Sequence, residues 1–558
     1  MSNTNTLPIL RSWPICWFFI LLPFACTQSQ QTANDTVPTF PNTFDFGANM
    51  GNYPPNFTDK ALAALAHGTV ELPESGVGVS SIRPGLFDYF LDHWGNDIRL
   101  EHFRFYDSIG LRNTVVISGF PAERNRDSTF YCAAARSQMF RDMYSDIWDN
   151  GENGTPVNDE NPYALYIWKA ANTYKGLIKI WEVWNEPDLD TGNGYLLPGQ
   201  PGNWWENAPQ PCETAIKAPV FFYIRALRIT YEVVKSVDPT AFVAVGGLGW
   251  PSYLDAICRY SDNPLDGAVD SKQYPNKGGA YFDCMSFHTY PHLNNSLRKW
   301  RNELNDFQYF RHSDAATEGV WSHKNAFRDV LEKYGYDDTR YPRKIWICSE
   351  FNIPRKPFGD FIGSEAAQVN FLVKTLVTAQ KEGMSQMHLY SLSDEKSEDK
   401  ADSEFCYMGL FKNLENKTIA TPNAIAYALK TTSLLLKDAT YDSVRTMAML
   451  AKDPARGFAF KHRNGAYTYV LWAKTTLDRD ETSNETYSFP KSFGLEKVSL
   501  KAWDFSLTNK SSDVDAQQIL LTGTPVFLRK TVDGFTALSI DFALYFSTLE
   551  YPYFDLKC

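Results

Sequence analysis

The chain has 558 residues, a formal net charge of −11 and a sequence pI near 5.4. Hydrophobic residues make up 44% and charged residues 21%, which is the composition of a globular protein rather than a disordered one. Phosphates require a basic surface, so an acidic chain excludes nucleic acid as an expected partner. The length exceeds one ordinary domain and suits a large domain joined to a smaller one.

The N-terminus predicts export. Arg11 precedes an apolar run, residues 15–24, which is too short to span a bilayer as a helix. Ala25-Cys26 resembles a bacterial lipoprotein cleavage site, and a plain secretory signal cleaved near Ala25 is the alternative. We predict a signal peptide over residues 1–26 and a flexible tether over 27–41, in a protein that is secreted, periplasmic or lipid-anchored. Membrane attachment would depend only on a lipidated Cys26.

The cysteines do not predict a metal site. The sequence has nine, of which Cys16 and Cys26 lie in the predicted signal peptide. The remaining seven include no CxxC and no Cys/His pair with metal-ligand spacing. One or two disulfides are compatible with this number, but the spacing assigns no pairing.

Residues 42–438 alternate short apolar runs with helical periodicity. Eight runs read as strands: residues 44–50, 102–106, 114–119, 178–184, 242–247, 282–288, 344–351 and 386–391. Apolar strands separated by amphipathic segments such as Val220–Val237 are typical of a parallel sheet covered by helices. Eight such units predict a (β/α)₈ TIM barrel, whose active site lies at the carboxyl ends of the strands.

Residues 439–558 change to alternation with period two. The runs are residues 458–462, 467–472, 499–504, 525–530 and 538–542, with turn residues between them. This pattern predicts a C-terminal antiparallel β-sandwich. Because the link to the barrel is short, we expect a packed structural domain rather than an independent binding module.

Two predicted strand ends carry glutamates. Trp184-Asn185-Glu186-Pro187 ends the fourth run, where Pro187 removes a backbone donor, and Glu350 ends the seventh. Glycosidic cleavage needs a protonated carboxyl group to assist the leaving oxygen and an ionised one to attack the anomeric carbon. Retaining enzymes place these groups roughly 5–5.5 Å apart and separate their pKa values by environment.

The motif and its position resemble clan A of the glycoside hydrolases. The Trp-Asn-Glu-Pro-Asp form, residues 184–188, and the trailing sandwich are similar to family 39 and related families, which include β-xylosidases, α-iduronidases and hydrolases of algal galactans. The resemblance implies a retaining enzyme in which Glu186 is the acid/base and Glu350 is the nucleophile. It also implies that Asn185 holds the 2-hydroxyl of the sugar.

Further site residues follow from the same resemblance. Arg104, in the predicted strand 102–106, would lie beside the nucleophile, while His288 and Tyr290 would orient the nucleophile and line the site. Glu182 has the same strand parity as Glu186, so we expect a buried partner with no catalytic role. No metal or organic cofactor is implied, because carboxylates and water suffice for the chemistry.

The substrate is expected to be a polysaccharide or oligosaccharide recognised by the loops after the strands. Trp204-Trp205, after the fourth strand, are candidate sugar-stacking residues, with loop packing as the alternative. Basic residues could pair with sulfate or carboxylate groups of a glycan, although such charges more often form a solvated face. They are Arg124, Arg126, Arg298, Lys299, Arg301, Arg311 and His312.

The first hypothesis is an endo-acting hydrolase of a sulfated algal galactan of the carrageenan, agar or porphyran type. An exo-acting β-xylosidase or an iduronidase-like glycosidase is the alternative. A non-catalytic carbohydrate-binding protein is a remote alternative, because both glutamates are present. The sequence leaves the linkage and the oligomeric state open.

Overall fold

The computed structural model describes Phe40 and residues 43–531, except residues 52, 55, 73–74, 190–191 and 452–454. The predicted signal peptide, nearly all of the predicted tether and the predicted last strand, 538–542, lie outside the described residues. No described helix has the length and apolar character needed to cross a membrane.

The described strands and helices are numbered here in chain order. The strands are β1 Asp45–Asn49, β2 Ser81–Arg83, β3 Val115–Ser118, β4 Ile180–Val183, β5 Phe242–Val245, β6 Cys284–Thr289, β7 Arg298–Arg301, β8 Asp306–Tyr309, β9 Ile345–Phe351, β10 Met384–Leu389, β11 Ala439–Tyr441, β12 Arg456–His462, β13 Tyr467–Trp472, β14 Asn484–Tyr487, β15 Lys497–Lys501, β16 Ser511–Asp515, β17 Ile519–Thr522 and β18 Val526–Lys530. The α-helices are α1 Asp59–His67, α2 Asp88–Trp94, α3 Leu100–Ile109, α4 Pro162–Thr173, α5 Val220–Val237, α6 Pro251–Arg259, α7 Ser313–Lys333, α8 Glu365–Lys381, α9 Ala424–Leu436, α10 Ser443–Leu450 and α11 Phe505–Thr508.

Eight parallel strands form the barrel. Their order in the sheet is β2-β1-β10-β9-β6-β5-β4-β3. A parallel bridge between Gly85 and Ile117 joins the segment after β2 to β3, which brings the two ends of the sheet together. The predicted (β/α)₈ barrel is confirmed, and β9 and β10 are its seventh and eighth strands.

One predicted barrel strand is wrong. Residues 102–106 lie in α3, which buries Phe103, Tyr106 and Ile109 at helical spacing and ends at Gly110 in the left-handed region. The second barrel strand is β2, Ser81–Arg83, which has only three residues. Three residues are too few to show a strand period, whereas the aromatic residues of α3 imitate one.

The C-terminal sheets form the predicted antiparallel sandwich. A six-stranded sheet has the order β11-β12-β13-β18-β15-β16, and β14 pairs with β17 in a two-stranded sheet. Tyr469 and Leu471 of β13 belong to the core shared with the smaller sheet. Val470 and Trp472, on the opposite face of the same strand, pack into the core of the barrel. Strand β13 is therefore buried on both faces, while the boundary near residue 438 stays a prediction.

The long connection after β6 has its own secondary structure. It contains the hairpin β7–β8 followed by the 21-residue helix α7. A disulfide joins Cys132, after β3, to Cys212, after β4, and assigns one pairing that the sequence left open. The other described cysteines, Cys258, Cys284, Cys348 and Cys406, are free and buried.

Candidate active site

Glu186 and Glu350 face each other at the carboxyl ends of the barrel strands. A carboxylate oxygen from each, together with one ring nitrogen of His288, lie within 4.8 Å of one another. Glu186 follows β4 and its side chain is 21% exposed, while Glu350 belongs to β9 and its side chain is 11% exposed. This separation suits the retaining geometry, in which the carboxyl groups are roughly 5–5.5 Å apart.

The backbone after β4 has an unusual conformation that presents Glu186. The φ angles of Trp184 and Glu186 are 75° and 47°, in a region that costs non-glycine residues about 1–3 kcal/mol each. The amide of Glu186 donates to the carbonyl of Gly246 at 2.6 Å, and the Trp184 ring stacks on Phe120 at 4.7 Å between centroids. These contacts hold the Trp-Asn-Glu segment in a conformation that an isolated strand end would not keep.

Three donors surround the Glu350 carboxylate. Arg83 Nη1 and Asn49 Nδ2 donate to Oε1 at 2.7 and 3.1 Å, and the Tyr290 hydroxyl donates to Oε2 at 2.7 Å. Burial of Tyr290 next to Glu350 raises the pKa of its hydroxyl well above the usual range, so Tyr290 stays a neutral donor. These three hydrogen bonds engage both oxygens and fix the orientation of the Glu350 carboxylate.

The arginine beside Glu350 is Arg83, and the prediction that Arg104 lies there is wrong. Arg83 lies at the end of β2 and is fully buried, and its guanidinium also donates to Glu182 Oε2 at 2.6 Å and Asn185 Oδ1 at 2.8 Å. Arg104 is exposed on α3 and pairs with Glu101 at 2.5 Å. The error follows from the misplaced second strand. Asn49, at the end of β1, was also missed, although its position at a strand end was a usable signal.

His288 contacts Glu186 through one ring nitrogen, with Nδ1 2.7 Å from Glu186 Oε1. Burial opposes a charge on His288, but the nearby Glu350 and Glu186 outweigh it and raise the pKa of the imidazole. Burial also opposes a charge on Glu186, yet His288 and Arg83 together lower the pKa of its carboxyl group. These shifts favour a protonated His288 beside an ionised Glu186, with the proton on Nδ1 directed at Glu186 Oε1.

Aromatic side chains enclose the side of the cleft next to Glu350. The ring of Tyr290 lies edge-on to Phe405 at 5.4 Å and to Tyr390 at 6.2 Å between centroids. The two latter rings are 5.6 Å apart. They come from the segments after β6 and β10, and neither Tyr390 nor Phe405 was predicted. Apolar ring faces of this kind suit the C–H faces of a sugar ring.

The prediction that Trp204 and Trp205 stack on sugar is wrong for Trp204. That side chain is fully buried, and its indole N–H donates to Glu213 Oε2 at 2.9 Å. Trp205 is half-buried, packs against the barrel core and donates its indole N–H to the Leu196 carbonyl at 2.9 Å. Loop packing, the alternative, accounts for both residues.

A different aromatic pair is exposed on the side of Glu186. Tyr195 is 62% exposed, and its ring centroid lies 6.3 Å from that of the half-buried Trp250, after β5. The fully buried carboxylate of Asp188, two residues after Glu186, accepts the backbone N–H groups of Gly249 and Trp250 at 2.9 and 2.7 Å. Trp250 is thus tied to the segment that carries the acid/base candidate.

Most of the predicted basic residues already have a hydrogen-bond or ion-pair partner within the protein, whereas two of them contact no carboxylate of the described residues. Arg311 pairs with Asp478 at 2.6 Å, Arg124 pairs with Asp92, and Arg126 donates to the Ser137 carbonyl at 2.8 Å. His312 caps α7, and Arg301 donates to Gln308 Oε1 at 2.7 Å. In the described part of the chain, Arg298 and Lys299 contact no carboxylate.

Arg298 and Lys299 lie on the hairpin β7–β8. Register places Arg298 and Trp300 on one face, opposite Tyr309 and Phe307. Trp300 is 47% exposed, and its ring centroid lies 5.1 Å from that of Phe307. The hairpin thus presents cationic and aromatic groups beside each other at the rim of the barrel.

Glu186, His288 and Glu350 also have the mutual distances of a metal-ligand trio. Both Glu350 oxygens, however, already accept from Arg83, Asn49 and Tyr290. The Arg83 guanidinium already supplies a positive charge next to Glu350. The absence of a metal cofactor stays a prediction.

Comparison with solved structures identifies the architecture. The chain is similar to a family 39 glycoside hydrolase from the gut symbiont Bacteroides cellulosilyticus WH2, with a TM-score of 0.56 and 15% identity over 87% of this chain and 81% of the other. It is also similar to the catalytic domain of GH30 xylanase C from Talaromyces cellulolyticus, with a TM-score of 0.48 and 12% identity over 89% and 98% of the two chains. No protein-family model and no curated protein matches the sequence. At such identities the likeness establishes the fold, and the function depends on the site.

Proposed function

We propose that the protein is a retaining glycoside hydrolase that cleaves β-glycosidic bonds of an extracellular polysaccharide by double displacement. The observation that carries the proposal is the pair Glu186 and Glu350, opposed within 4.8 Å in different environments. One carboxylate has three donors, and the other has a protonatable imidazole at 2.7 Å. The family 39 fold likeness supports the same reaction.

The first step forms a covalent glycosyl-enzyme. Glu350 attacks the anomeric carbon while Glu186 gives the shared proton to the departing glycosidic oxygen, so that one C–O bond forms and another breaks. In the second step Glu186 takes a proton from water, whose oxygen attacks the anomeric carbon and releases Glu350. Asn185, oriented by Arg83 at 2.8 Å, is available for the sugar hydroxyl next to the reacting carbon.

The finer part of the proposal is an endo-acting hydrolase of a sulfated galactan. Tyr195 and Trp250 support a binding site for a leaving-group sugar, because they lie on the acid/base side and offer an exposed ring. Arg298, Lys299 and Trp300 on the hairpin support contact with an anionic chain beyond that site. The predicted export signal agrees with an external substrate.

The test begins with Glu350→Ala and Glu186→Ala, with Glu101→Ala as the control because Glu101 is an exposed glutamate outside the site. Glu350→Ala should abolish turnover. Glu186→Ala should lose less rate on substrates with activated leaving groups, which need little protonation. NMR of the first-formed product should show the anomeric configuration retained, and an inverted product would contradict the mechanism.

A screen of neutral and sulfated polysaccharides with product sizing then tests the substrate. Internal cleavage of a sulfated galactan, weakened by Arg298→Ala, is the expected result. Release of single xylose or iduronate units from chain ends would instead favour the exo-acting alternative. A fully folded protein that binds glycans and cleaves none would favour the remote alternative of a binding protein.

A further inference from the structure

Glu182 lies below Glu186 and Glu350. It is hydrogen-bonded to Arg83, which contacts Glu350, and to Ser349, which contacts His288. Its side chain is fully buried inside the barrel on β4. Oε2 accepts from Arg83 at 2.6 Å, and Oε1 accepts from Ser286 Oγ and Ser349 Oγ at 2.6 and 2.7 Å. Removing a buried carboxylate that accepts three short hydrogen bonds would lower stability. The same carboxylate also fixes the direction in which the neighbouring hydroxyl groups donate.

The serine contacts determine which nitrogen of His288 carries hydrogen. Ser349 has one hydroxyl proton, and its Oγ lies 2.7 Å from Glu182 Oε1, 2.9 Å from His288 Nε2 and 2.8 Å from Ser286 Oγ, which has a hydroxyl proton of its own. If that proton pointed to His288, two oxygens would lie 2.7 Å apart with no proton between them. Ser349 therefore donates to Glu182 and accepts from His288, so Nε2 carries a hydrogen.

The other nitrogen of the ring is then left for the acid/base. With Nε2 protonated, Nδ1 is the atom that gains or loses a proton, and it faces Glu186 at 2.7 Å. We propose that Glu182 is a positioning residue that acts through Ser349, holding His288 in the Nε2–H form so that Nδ1 and Glu186 share the proton delivered to the leaving group. This inference rests on the proposed function, and it names the residues that would keep a proton available to Glu186.

The charges around His288 agree with this assignment. The titratable and charged groups that face the ring or act on it are Glu186, Glu350, Arg83, His388 and, through Ser349, Glu182. The carboxylates favour the imidazolium, and Arg83 opposes it. Burial lowers the pKa of His388 to about 3, so that ring is neutral and adds no positive charge.

Two serine variants form a matched pair for the test. Ser349→Ala removes the acceptor of His288 Nε2. Ser286→Ala removes a contact to Glu182 Oε1 at 2.6 Å and one to Ser349 Oγ at 2.8 Å, but it keeps the contact between Ser349 and His288. Without its acceptor the imidazolium is less favoured, so the shared proton is lost at lower pH. The basic limb of kcat/KM should move down by about one pH unit in Ser349→Ala only.

Leaving-group dependence gives a second readout. Ser349→Ala should lower kcat/KM by about 10- to 100-fold on a poor leaving group and by much less on an activated one. Glu182→Gln should move both limbs, because Arg83 also loses its partner. Equal profiles for the two serine variants would overturn the inference, whereas inactivity of the unmutated enzyme on every glycoside would instead contradict the proposed function.

A measurement on the unmutated protein covers the case in which a variant fails to fold. Nitrogen-15 NMR of labelled histidine should show His288 with hydrogen on Nε2 across the active pH range. A neutral Nδ1–H form of His288 in that range would overturn the inference, because Nδ1 could then only donate to Glu186 and could not hold its proton.

Discussion

The layer of the barrel below its rim and the interior of the sandwich are both buried. The first contains charged and polar side chains, whereas the second contains apolar ones. Below Glu186 and Glu350 the barrel encloses Arg83, Glu182 and His288, where Arg83 is hydrogen-bonded to Glu182, and Ser349 connects Glu182 to His288. The core shared by the two sandwich sheets consists of apolar and aromatic residues, such as Tyr469, Leu471, Tyr487, Ile519 and Leu528. A buried charge network seldom adds stability, while apolar burial does so at about 25 cal/mol per Å². The polar network below the rim therefore serves the proposed chemistry, whereas the apolar core of the sandwich contributes to stability alone.

Replacing Arg83 should give the largest effect, because it removes one cation from between three carboxylate and amide acceptors. We expect Arg83→Ala to lower kcat/KM by more than about 1,000-fold and the free energy of unfolding by about 3–5 kcal/mol. Denaturant unfolding and kinetics check the two quantities. Arg104→Ala is the matched control, and a comparable loss there would contradict the assignment.

Trp472 tests the opposite half of the comparison. Its ring packs on the barrel core and its indole N–H donates to Asp314 Oδ1 at 2.9 Å. Trp472→Ala should lower the free energy of unfolding by about 3–5 kcal/mol and leave kcat/KM per folded molecule nearly unchanged. A drop in kcat/KM as large as that of a site variant would show that the sandwich takes part in the reaction.

The disulfide between Cys132 and Cys212 ties two rim connections across 80 residues. Replacing both cysteines with serine should lower stability by about 2–4 kcal/mol, since the unfolded chain gains freedom. Thermal unfolding with and without reductant measures this effect. Reductant should lower the Tm of the original protein and leave the double variant unchanged; an unaltered Tm in the original would contradict the pairing.

Asp188 should give the smallest effect and a distinctive pH dependence. Burial raises its pKa from 3.8 to about 7, so the folded state favours the protonated form. Its contribution is therefore fully present below pH 4 and is lost as pH rises through 7. At pH 8 the free energy of unfolding of Asp188→Asn should exceed that of the original by about 2 kcal/mol. The full shift corresponds to about 4 kcal/mol, but an ionised Asp188 regains part of it through the N–H groups of Gly249 and Trp250. At pH 4 the two proteins should have the same stability. An equal difference in stability between the variant and the original at pH 4 and pH 8 would contradict the raised pKa of Asp188.

Local patterns predicted most of the barrel and five of its rim residues. They lie in or just after strands that are long enough to show their period, and the structure brings all five to one cleft: Asn185, Glu186, His288, Tyr290 and Glu350. Their roles in the reaction stay proposals. The prediction failed at β2, where Ser81–Arg83 is too short for periodicity and the aromatic spacing of α3 imitated a strand. Because of this error, Arg104 was predicted beside Glu350, where the structure places Arg83.

The sequence by itself determined which segments are strands with carboxylates at their ends, because strand periodicity and a proline stop are local properties. Tertiary structure alone decided which side chains meet. Arg83, Asn49, Glu182 and Ser349 come from four strands, and only closure of the barrel brings them to Glu350 and His288. The same holds for Trp204, whose burial depends on the fold of a long connection rather than on its own residue type. Contacts between distant segments leave no periodic signal along the chain, because the distances that define them exist only after folding.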